Sequence, residues 1–430
     1  MKKYSLSALV AAGLLAGGLT AGTAQAADLG GDCCADLEER VAELEATVAR
    51  KGNRKVSLTI SGWVAEQVMW WDDGVEQNTY VGGVGSTLAS HFKFAGEAKI
   101  TSDVSAGYLL QIEALTSSPL GGMNQNSDDG AGANTLGVLQ SYWWIKSNTL
   151  GKVSVGQFSQ ASDNTALLVD GSGSLVPANW VNFDTIAFRL RSNGALVTLG
   201  GVAATWGTVA HCDHVSAGLA GDCNGATNNA VRYDSPTFAG FSISADWGED
   251  DAWDVAARYA GEFNGVKVAL AASYFEQNDT NPANASGIAS SYFQIGGYVQ
   301  HVPTGLFLHA AYGTDDTDAA GVVTGDIWYA KAGIRQRWSS LGHTVLYGEY
   351  GNRDDMFNAT LLGPEVVGSE VKQWGLGVVQ EIDAAAMSVW LAYRNYDAEI
   401  SCVAPSAVCL APTTSFDEFH VVKFGALINF

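Results

Sequence analysis

The chain has 430 residues, and 45 acidic against 23 basic side chains give it a formal net charge of −22. This acidic excess argues against nucleic-acid binding, which needs a basic surface. Beyond the N-terminal residues the sequence contains no run of ~18 apolar residues that could cross a bilayer as a helix, so a membrane location would require strands.

Residues 1–26 have the pattern of a secretory signal peptide. Two lysines precede a short apolar run, and Ala-Gln-Ala at 24–26 supplies the small-x-small cleavage site. A membrane anchor is the alternative, but the run is too short and too rich in Gly and Ala. We therefore predict export, with a mature chain that begins near Ala27.

The segment 27–54 has a helical pattern that the rest of the chain lacks. Apolar residues recur at spacings of four and three, at Leu37, Val41, Leu44 and Val48. These heptads predict a short periplasmic coiled coil, but they are too few to hold chains together alone. A trimeric barrel would supply the missing contacts, and a single amphipathic helix is the alternative.

From residue 55 to residue 430 apolar and polar residues alternate in runs of about 8–13 residues. Phe241, Ile243 and Trp247 share one parity, whereas Ser242, Ser244 and Asp246 share the other. One face would meet lipid and the other water, so the pattern predicts an all-β, transmembrane antiparallel β-barrel of about 16–18 strands. A soluble β-sandwich is the alternative, but aromatic residues cluster at strand ends as interfacial girdles do.

Short and long connections alternate along this region. The short ones are Asn193-Gly194, Asn264-Gly265, 303–305 and 383–385, and the long ones are 72–86, 117–136, 161–184, 207–227 and 397–417. Because outer-membrane barrels have short periplasmic turns and long external loops, both termini are predicted to lie in the periplasm.

The six cysteines form three pairs of sequence neighbours. The pairs are Cys33 with Cys34, Cys212 with Cys223, and Cys402 with Cys409. Export permits disulfides, so we predict that the second and third pairs each close a loop. A bond within the first pair would be strained because its members are adjacent, which leaves an interchain bond or free thiols.

Three segments resemble known outer-membrane barrels. Residues 419–430, FHVVKFGALINF, resemble the C-terminal assembly signal, and residues 229–241, NAVRYDSPTFAGF, look like a strand, turn and strand of general porins. Residues 150–163, LGKVSVGQFSQASD, look like the start of their constriction loop. With the heptads, the mature chain is similar to alphaproteobacterial porins, which implies a trimeric outer-membrane channel for passive diffusion of small hydrophilic solutes and ions.

The resemblance implies that residues 161–184 fold inward and narrow the channel. The next segment, 185–192, is predicted to be a strand whose two arginines face the lumen, opposite the acidic loop. Such opposed charges create a field that selects solutes by charge and dipole. The expected constriction residues are Arg189, Arg191, Asp163, Asp170 and Asp184.

Strand parity predicts which other basic residues line the pore. A lipid-facing Arg or Lys near mid-bilayer costs about 2–4 kcal/mol, so these side chains should point inward. The residues are Arg232, Arg258, Lys331, Arg335, Arg337 and Arg394, with Lys267 and Lys423 of the same parity. They would form a basic wall that favours anions, or else pair with lumen carboxylates.

The remaining motifs predict neither an enzyme nor a cofactor. The seven histidines are scattered and no catalytic motif occurs. A disulfide between Cys212 and Cys223 would remove the thiolates of a zinc site, and the acidic clusters 249–251 and 315–316 are explained by solvated loops, with calcium as the alternative.

Two alternatives to a general porin stay open. A substrate-specific channel would need an aromatic track in the lumen, for which Tyr329, Trp390 and Phe275 have the parity. A structural protein would use the segment 27–54 to bind peptidoglycan and tether the outer membrane to the cell wall.

Overall fold

The computed structural model describes most of the chain beyond residue 54. The described residues are 55–85, 88–115, 123–128, 135–181, 184–199, 201–212, 223, 227–249, 251–278, 289–317, 322–358, 362–363, 365–403 and 411–430. The predicted signal peptide and coiled coil, residues 1–54, lie outside them, as does Cys409. No helix within these ranges is long and apolar enough to cross a membrane.

Strands make up nearly all of the regular structure. They are β1 (Thr59–Asp72), β2 (Gln77–Gly83), β3 (His91–Lys99), β4 (Val104–Leu115), β5 (Thr135–Ser147), β6 (Gly151–Ser159), β7 (Arg191–Ser192), β8 (Ala195–Leu196), β9 (Thr198–Leu199), β10 (Val202–Ala203), β11 (Thr227–Asp234), β12 (Phe241–Gly248), β13 (Ala252–Phe263), β14 (Val266–Gln277), β15 (Ser290–His301), β16 (Leu306–Thr317), β17 (Gly325–Gln336), β18 (Thr344–Asp354), β19 (Val366–Ile382), β20 (Met387–Cys402), β21 (Thr413–Ser415) and β22 (Phe419–Asn429). Two single-turn helices, α1 (Thr165–Leu168) and α2 (Trp206–Val209), and a 3-10 turn (Asp383–Ala385) complete them.

Eighteen of these strands form one closed antiparallel sheet. β1 pairs with β22 along Trp63–Asp72, which closes the barrel. β2 and β3 pair with successive parts of β1, and β21 and β22 pair with successive parts of β20. β2 and β3 therefore occupy one strand position of the barrel, and β21 and β22 occupy another. Each strand position is called a stave below. The predicted transmembrane barrel is confirmed, with 16 staves.

The predicted strand 185–192 is wrong. β6 pairs directly with β11, so everything between them is one connection rather than part of the barrel wall. Asn193 and Gly194 do form a turn, with φ of 51° and 79°, but it joins the short strands β7 and β8 inside this connection. The alternation there arises because one face packs on an apolar core of the protein rather than on lipid.

Two of the predicted long connections are also shorter than expected. Most of the segment 72–86 is strand, because β2 begins at Gln77 and continues the pairing with β1. β20 extends to Cys402, well into the segment 397–417. Both strands lengthen the wall at the same end of the barrel, which is called the long-loop end below.

Side-chain exposure confirms the predicted parity of the strands. On β12, Phe241 and Ile243 are 60% and 58% exposed on the outer face, whereas Ser244 and Asp246 are 4% and 8% exposed on the inner face. An apolar outer face suits lipid and a polar inner face suits a lumen. The low exposure of the inner side chains shows that part of the chain fills the lumen beside them.

The connection between β6 and β11 provides that filling. Residues 160–184 are termed the constriction arm, and residues 185–210, which contain β7 to β10 and α2, are termed the mouth lobe. At the opposite end of the barrel, the turns 264–265, 303–305 and 383–385 are short, as predicted; this is the short-turn end.

Candidate functional site: the channel interior

The constriction arm begins on two carboxylates of the inner wall. The main-chain N–H groups of Ala161 and Ser162 donate to Asp246 and Asp254 at 2.6 and 2.7 Å. These aspartates face each other on β12 and β13. Arg258 donates to the Ala161 carbonyl at 2.5 Å, so both main-chain polar groups of Ala161 are held by the wall.

Helix α1 then crosses β15 at close range. A Cβ on Gly296 would lie 2.2 Å from the Ala166 carbonyl oxygen, so only glycine leaves room for the arm here. The Gln294 amide donates to the Ser162 carbonyl at 2.9 Å and accepts from the Ala166 N–H at 2.8 Å. Nε2 of His309 lies 2.9 Å from the Ala166 carbonyl oxygen. The arm therefore follows the wall rather than crossing open lumen.

Two buried ion pairs hold the middle and the end of the arm. Asp170 lies 2.5 Å from Lys331, with both side chains 0% exposed, and Lys331 also donates to the Ala178 carbonyl at 3.1 Å. Asp184 lies 2.6 Å from Lys423. Burial would raise the pKa of Asp170, but Lys331, His309 and Ser172 together lower this pKa below its ordinary value. Lys423 lowers the pKa of Asp184 in the same way.

A third charged contact lies farther along the wall. Arg394 donates to both oxygens of Glu349 at 2.9 and 3.0 Å, and the Tyr329 hydroxyl donates to the same carboxylate at 2.5 Å. Arg394 and Gln373 also donate to the Asn179 carbonyl at 2.9 and 3.1 Å. This pair therefore fixes the arm as well as the wall.

A cavity lies between the first turns of the arm and the wall of β1, β3, β4 and β5. The wall supplies Trp63, Lys93, Gln111, Leu139 and Gln140, with Ser159 at the end of β6 and Thr227 at the start of β11, and the arm supplies Asp163, Asn164 and Leu168. A cation and a carboxylate thus line one gap. Nζ of Lys93 is 5.6 Å from the centre of the Trp63 ring, which keeps the ammonium near the wall.

Comparison with known proteins identifies this architecture. Residues 7–404 match the family of Gram-negative porins. The chain belongs to the Gram-negative porin family. The family and the 16-stave barrel make this porin an outer-membrane channel for passive diffusion, which confirms the predicted function and location. No curated protein matches the sequence.

Solved structures with the same fold are distant in sequence. An anion-selective porin from Comamonas acidovorans is 15% identical, with a TM-score of 0.54 over 87% of this chain and 100% of that chain. OmpF of Salmonella typhi in complex with daunomycin is 13% identical, with a TM-score of 0.50 over 88% and 99%. OmpT of Vibrio cholerae in its trimer form is 12% identical, with a TM-score of 0.50 over 87% and 99%.

The structure separates the five predicted constriction residues of the porin. Asp163, Asp170 and Asp184 lie on the constriction arm inside the barrel, whereas the two arginines lie in the mouth lobe. Nε of Arg191 is 2.7 Å from Asp73, in the turn between β1 and β2. Arg189 donates to the Val197 carbonyl at 3.3 Å. Their predicted placement on a barrel strand opposite the acidic loop is corrected, because strand parity does not apply to residues that are not part of the barrel wall.

The predicted lumen cations other than Lys267 have specific partners. Arg258, Lys331 and Arg394 hold the arm as described above. Arg232 pairs with Asp234 at 2.8 Å and donates to the Ser159 carbonyl at 2.9 Å. Arg335 pairs with Glu381 at 2.7 Å. Arg337 follows the end of β17 and forms a half-exposed ion pair with Asp383 at the short-turn end. The geometry therefore matches the alternative in which wall cations pair with acceptors.

Sequence reasoning did not single out Lys93, the cation of the cavity. The signal was available, since Lys93 lies between Phe92 and Phe94 on β3 and therefore has inward parity by the rule applied to other strands. What the sequence lacked was the position of the arm, which determines which stretch of the inner wall stays uncovered.

The described cysteines of the porin lie at the long-loop end. Cys212 and Cys223 are bonded, with their Cα atoms 5.3 Å apart, which confirms that prediction. Their sulfur atoms and an Asp315 oxygen lie within 4.8 Å of one another, but the disulfide removes both thiolates as metal ligands. Cys402 is also disulfide-bonded, and pairing with Cys409 stays a prediction because Cys409 is outside the described residues.

Proposed function

We propose that solutes cross this porin through the gap between the constriction arm and the wall of β1, β3, β4 and β5. The supporting observation is the cavity that Lys93 and Asp163 line together. Farther round the barrel, Asp170, Lys331 and Arg394 are almost fully buried in contacts between the arm and the wall. A solute there would have to break those contacts, whereas the gap already exists.

The chemistry of the gap suits small hydrophilic solutes. Lys93 and Asp163 line the same cavity, and their opposite charges would create a field there that orients dipolar solutes. The amides of Gln111, Gln140 and Asn164 line the same space and can replace hydrogen bonds that a solute loses with its water. Passage then depends on size and charge rather than on tight binding.

Reversal potentials across a salt gradient in planar bilayers test this route. Lys93→Gln should shift selectivity toward cations and Asp163→Asn toward anions, because each variant removes one sign of charge from the gap. Arg337→Gln is the matched control, since its ion pair lies half-exposed at the short-turn end. If neither gap variant moved the reversal potential relative to this control, the proposed route would be wrong.

We also propose that the porin is a homotrimer. Glu66 has outward parity between Val64 and Val68, which are 49% and 40% exposed. The Ser90 hydroxyl donates to the Glu66 carboxylate at 3.4 Å within the chain, but a carboxylate on a lipid-facing strand is still costly, and a second copy of the chain would shield it from lipid. The similar OmpT of Vibrio cholerae has a trimer form. Light scattering should give three chains per particle, and Glu66→Lys should weaken assembly; a monomeric wild type would contradict the proposal.

We further propose that the chain is of the alphaproteobacterial type, with a periplasmic coiled coil at residues 27–54. The heptad of Leu37, Val41, Leu44 and Val48 supports this segment, and peptidoglycan is its proposed partner. Deleting residues 33–52 should weaken binding to purified peptidoglycan and leave single-channel conductance unchanged. Unchanged binding would rule out the tether.

The observations favour a general channel over a substrate-specific one. The aromatic track that specificity would need consists of Tyr329, Trp390 and Phe275, and these side chains are only 1%, 2% and 0% exposed. They support the arm and the wall and do not line the cavity between Lys93 and Asp163.

A further inference from the structure

The mouth lobe is a small folded unit of its own within the lumen. The Leu190 N–H donates to the Ala204 carbonyl at 2.9 Å, and the Val197 N–H donates to the Leu190 carbonyl at 3.0 Å. β7 pairs with β8 and β9 pairs with β10. Phe188 and Leu190 are fully buried at 0% exposure, so the lobe has an apolar core that it shares with the wall.

Aromatic packing joins the lobe to the barrel. The Phe188 ring centre is 5.1 Å from that of Trp71 on β1 and 4.8 Å from that of Phe419 on β22. The Trp206 ring centre is 5.7 Å from that of Tyr396 on β20. These contacts span three adjacent staves at the long-loop end of the barrel.

The wall beneath the lobe is not the wall of a water-filled channel. Its inward side chains are apolar and almost fully buried, and they include Met69, Trp71, Val371, Ile400, Phe419 and Val421. An inner face in contact with water is polar. This sector of the wall is therefore covered by the lobe, and the water-filled part of the lumen lies beside other strands.

Polar contacts fix the tip of the lobe to the rim. Arg191 lies 2.7 Å from Asp73 and 2.9 Å from Glu76, in the turn between β1 and β2. The Asp417 carboxylate accepts the N–H groups of Asn193 and Gly194 at 3.0 and 2.7 Å. Two separate rim segments thus hold the turn between β7 and β8, which makes the lobe a fixed element.

We propose that the mouth lobe is a second, size-selecting filter that closes the lumen over β19, β20, β22, β1 and β2. Solutes are then confined to the sector over the remaining staves before they reach the gap at Lys93. The lobe therefore sets a size limit at the mouth, and the gap then selects by size and charge. This inference rests on the proposed route through the gap.

The lobe can be removed without breaking the barrel connection. The Gly207 N–H donates to the Ile186 carbonyl at 2.9 Å, and the Trp206 N–H donates to the Phe188 carbonyl at 3.0 Å. The two ends of the lobe therefore meet, and a two-glycine linker can replace residues 188–205. Arg191→Met keeps the chain length and removes the side-chain contacts to Asp73, Glu76 and the Gly194 carbonyl, and it serves as a second variant.

Single-channel conductance and exclusion of graded polyethylene glycols test the filter. The deletion should raise conductance and let larger polymers enter the mouth of the channel, while the reversal potential stays as in wild type because Lys93 and Asp163 remain in the gap. Arg191→Met should change conductance in the same direction and by less, and Arg337→Met is the control. Both variants are compared only after heat-modifiable migration shows a folded barrel.

The outcomes separate this inference from the proposed route. Unchanged conductance and polymer exclusion in a folded deletion barrel would overturn the filter. If the deletion variant does not fold, unchanged conductance and polymer exclusion in folded Arg191→Met would overturn the filter. If wild-type protein did not conduct, the proposed route would be overturned instead. If the deletion shifted the reversal potential without changing polymer exclusion, the lobe would be part of the charge-selective gap, and the proposal of a separate filter would be wrong.

Discussion

The constriction arm and the mouth lobe are consecutive in the chain and both fill the lumen, yet the balance between polar and apolar contacts differs between them. The arm is held by charges and amides, such as the pairs of Asp170 with Lys331 and Asp184 with Lys423. The lobe is held by side chains such as Phe188 and Trp206 on an apolar wall. The arm also packs Leu167 and Trp180 on the wall, and polar contacts also fix the tip of the lobe.

The difference follows from what each region must do. Hydrogen bonds and ion pairs are directional, so they place a thin segment at a defined distance from the wall and leave polar groups toward the channel. Apolar packing is non-directional and fills volume. A segment that shapes a gap therefore needs polar contacts, whereas one that fills a sector can rely on hydrophobic burial.

Among the variants that test how the arm is held, Glu349→Ala should cause the largest loss in the free energy of unfolding. It leaves Arg394, which is 2% exposed, charged and without its carboxylate, at a cost of about 3–5 kcal/mol in the free energy of unfolding. Urea unfolding in lipid vesicles, followed by tryptophan fluorescence, measures it. Asp383→Ala is the control because its partner Arg337 is half-exposed, and it should cost at most about 1 kcal/mol. Equal losses of unfolding free energy in the two variants would contradict the role of Glu349 as the buried partner of Arg394.

Leu199→Ala should destabilise the mouth lobe by about 3 kcal/mol, because Leu199 is 1% exposed and its loss leaves a cavity in the shared core. Leu196→Ala offers a control from the same lobe, since Leu196 is 38% exposed and should cost about 0.5 kcal/mol or less. The same unfolding measurement applies. Similar values for the two leucines would show that the lobe does not depend on apolar packing.

Gly296→Ala should displace the arm without removing any of its contacts. The new Cβ would lie 2.2 Å from the Ala166 carbonyl, and such overpacking costs about 1–3 kcal/mol. We expect an altered conductance with it. In Gly297→Ala the nearest atom is the flexible Leu270 Cδ2 at 3.1 Å, so this neighbour should behave like wild type. A normal conductance in Gly296→Ala would mean that the arm does not need its close approach to β15.

Acid should have the smallest effect and should act mainly on the arm. Burial alone would raise the pKa of Asp170, but Lys331 holds this pKa below its ordinary value. The pair therefore stabilises the arm above about pH 4 and loses this contribution as the pH falls through the depressed pKa. Conductance should stay constant from about pH 7 to about pH 5 and change only below about pH 4. Asp170→Asn should reduce that change, and a transition near neutral pH would contradict this account.

The barrel itself follows from local sequence. Alternation of residues such as Phe241 and Ser242 sets the face of each strand, because successive side chains of a strand point to opposite sides. The tight turn at Asn264 and Gly265 sets a hairpin, because these residues adopt positive φ at low cost. Pairing of Cys212 with Cys223 could also be predicted, since export and a short separation favour it.

Only the tertiary structure decided how the lumen is filled. Phe188, Arg189, Leu190 and Arg191 alternate as a barrel strand would, and alternation cannot tell whether the apolar face meets lipid or a protein core. For the same reason the partners of Lys331 and Arg394 could not be predicted, because they come from a connection folded back over the wall. The sequence by itself determined which side chains point inward, and the fold of the arm and the lobe determined which of them, Lys93 above all, line the remaining gap.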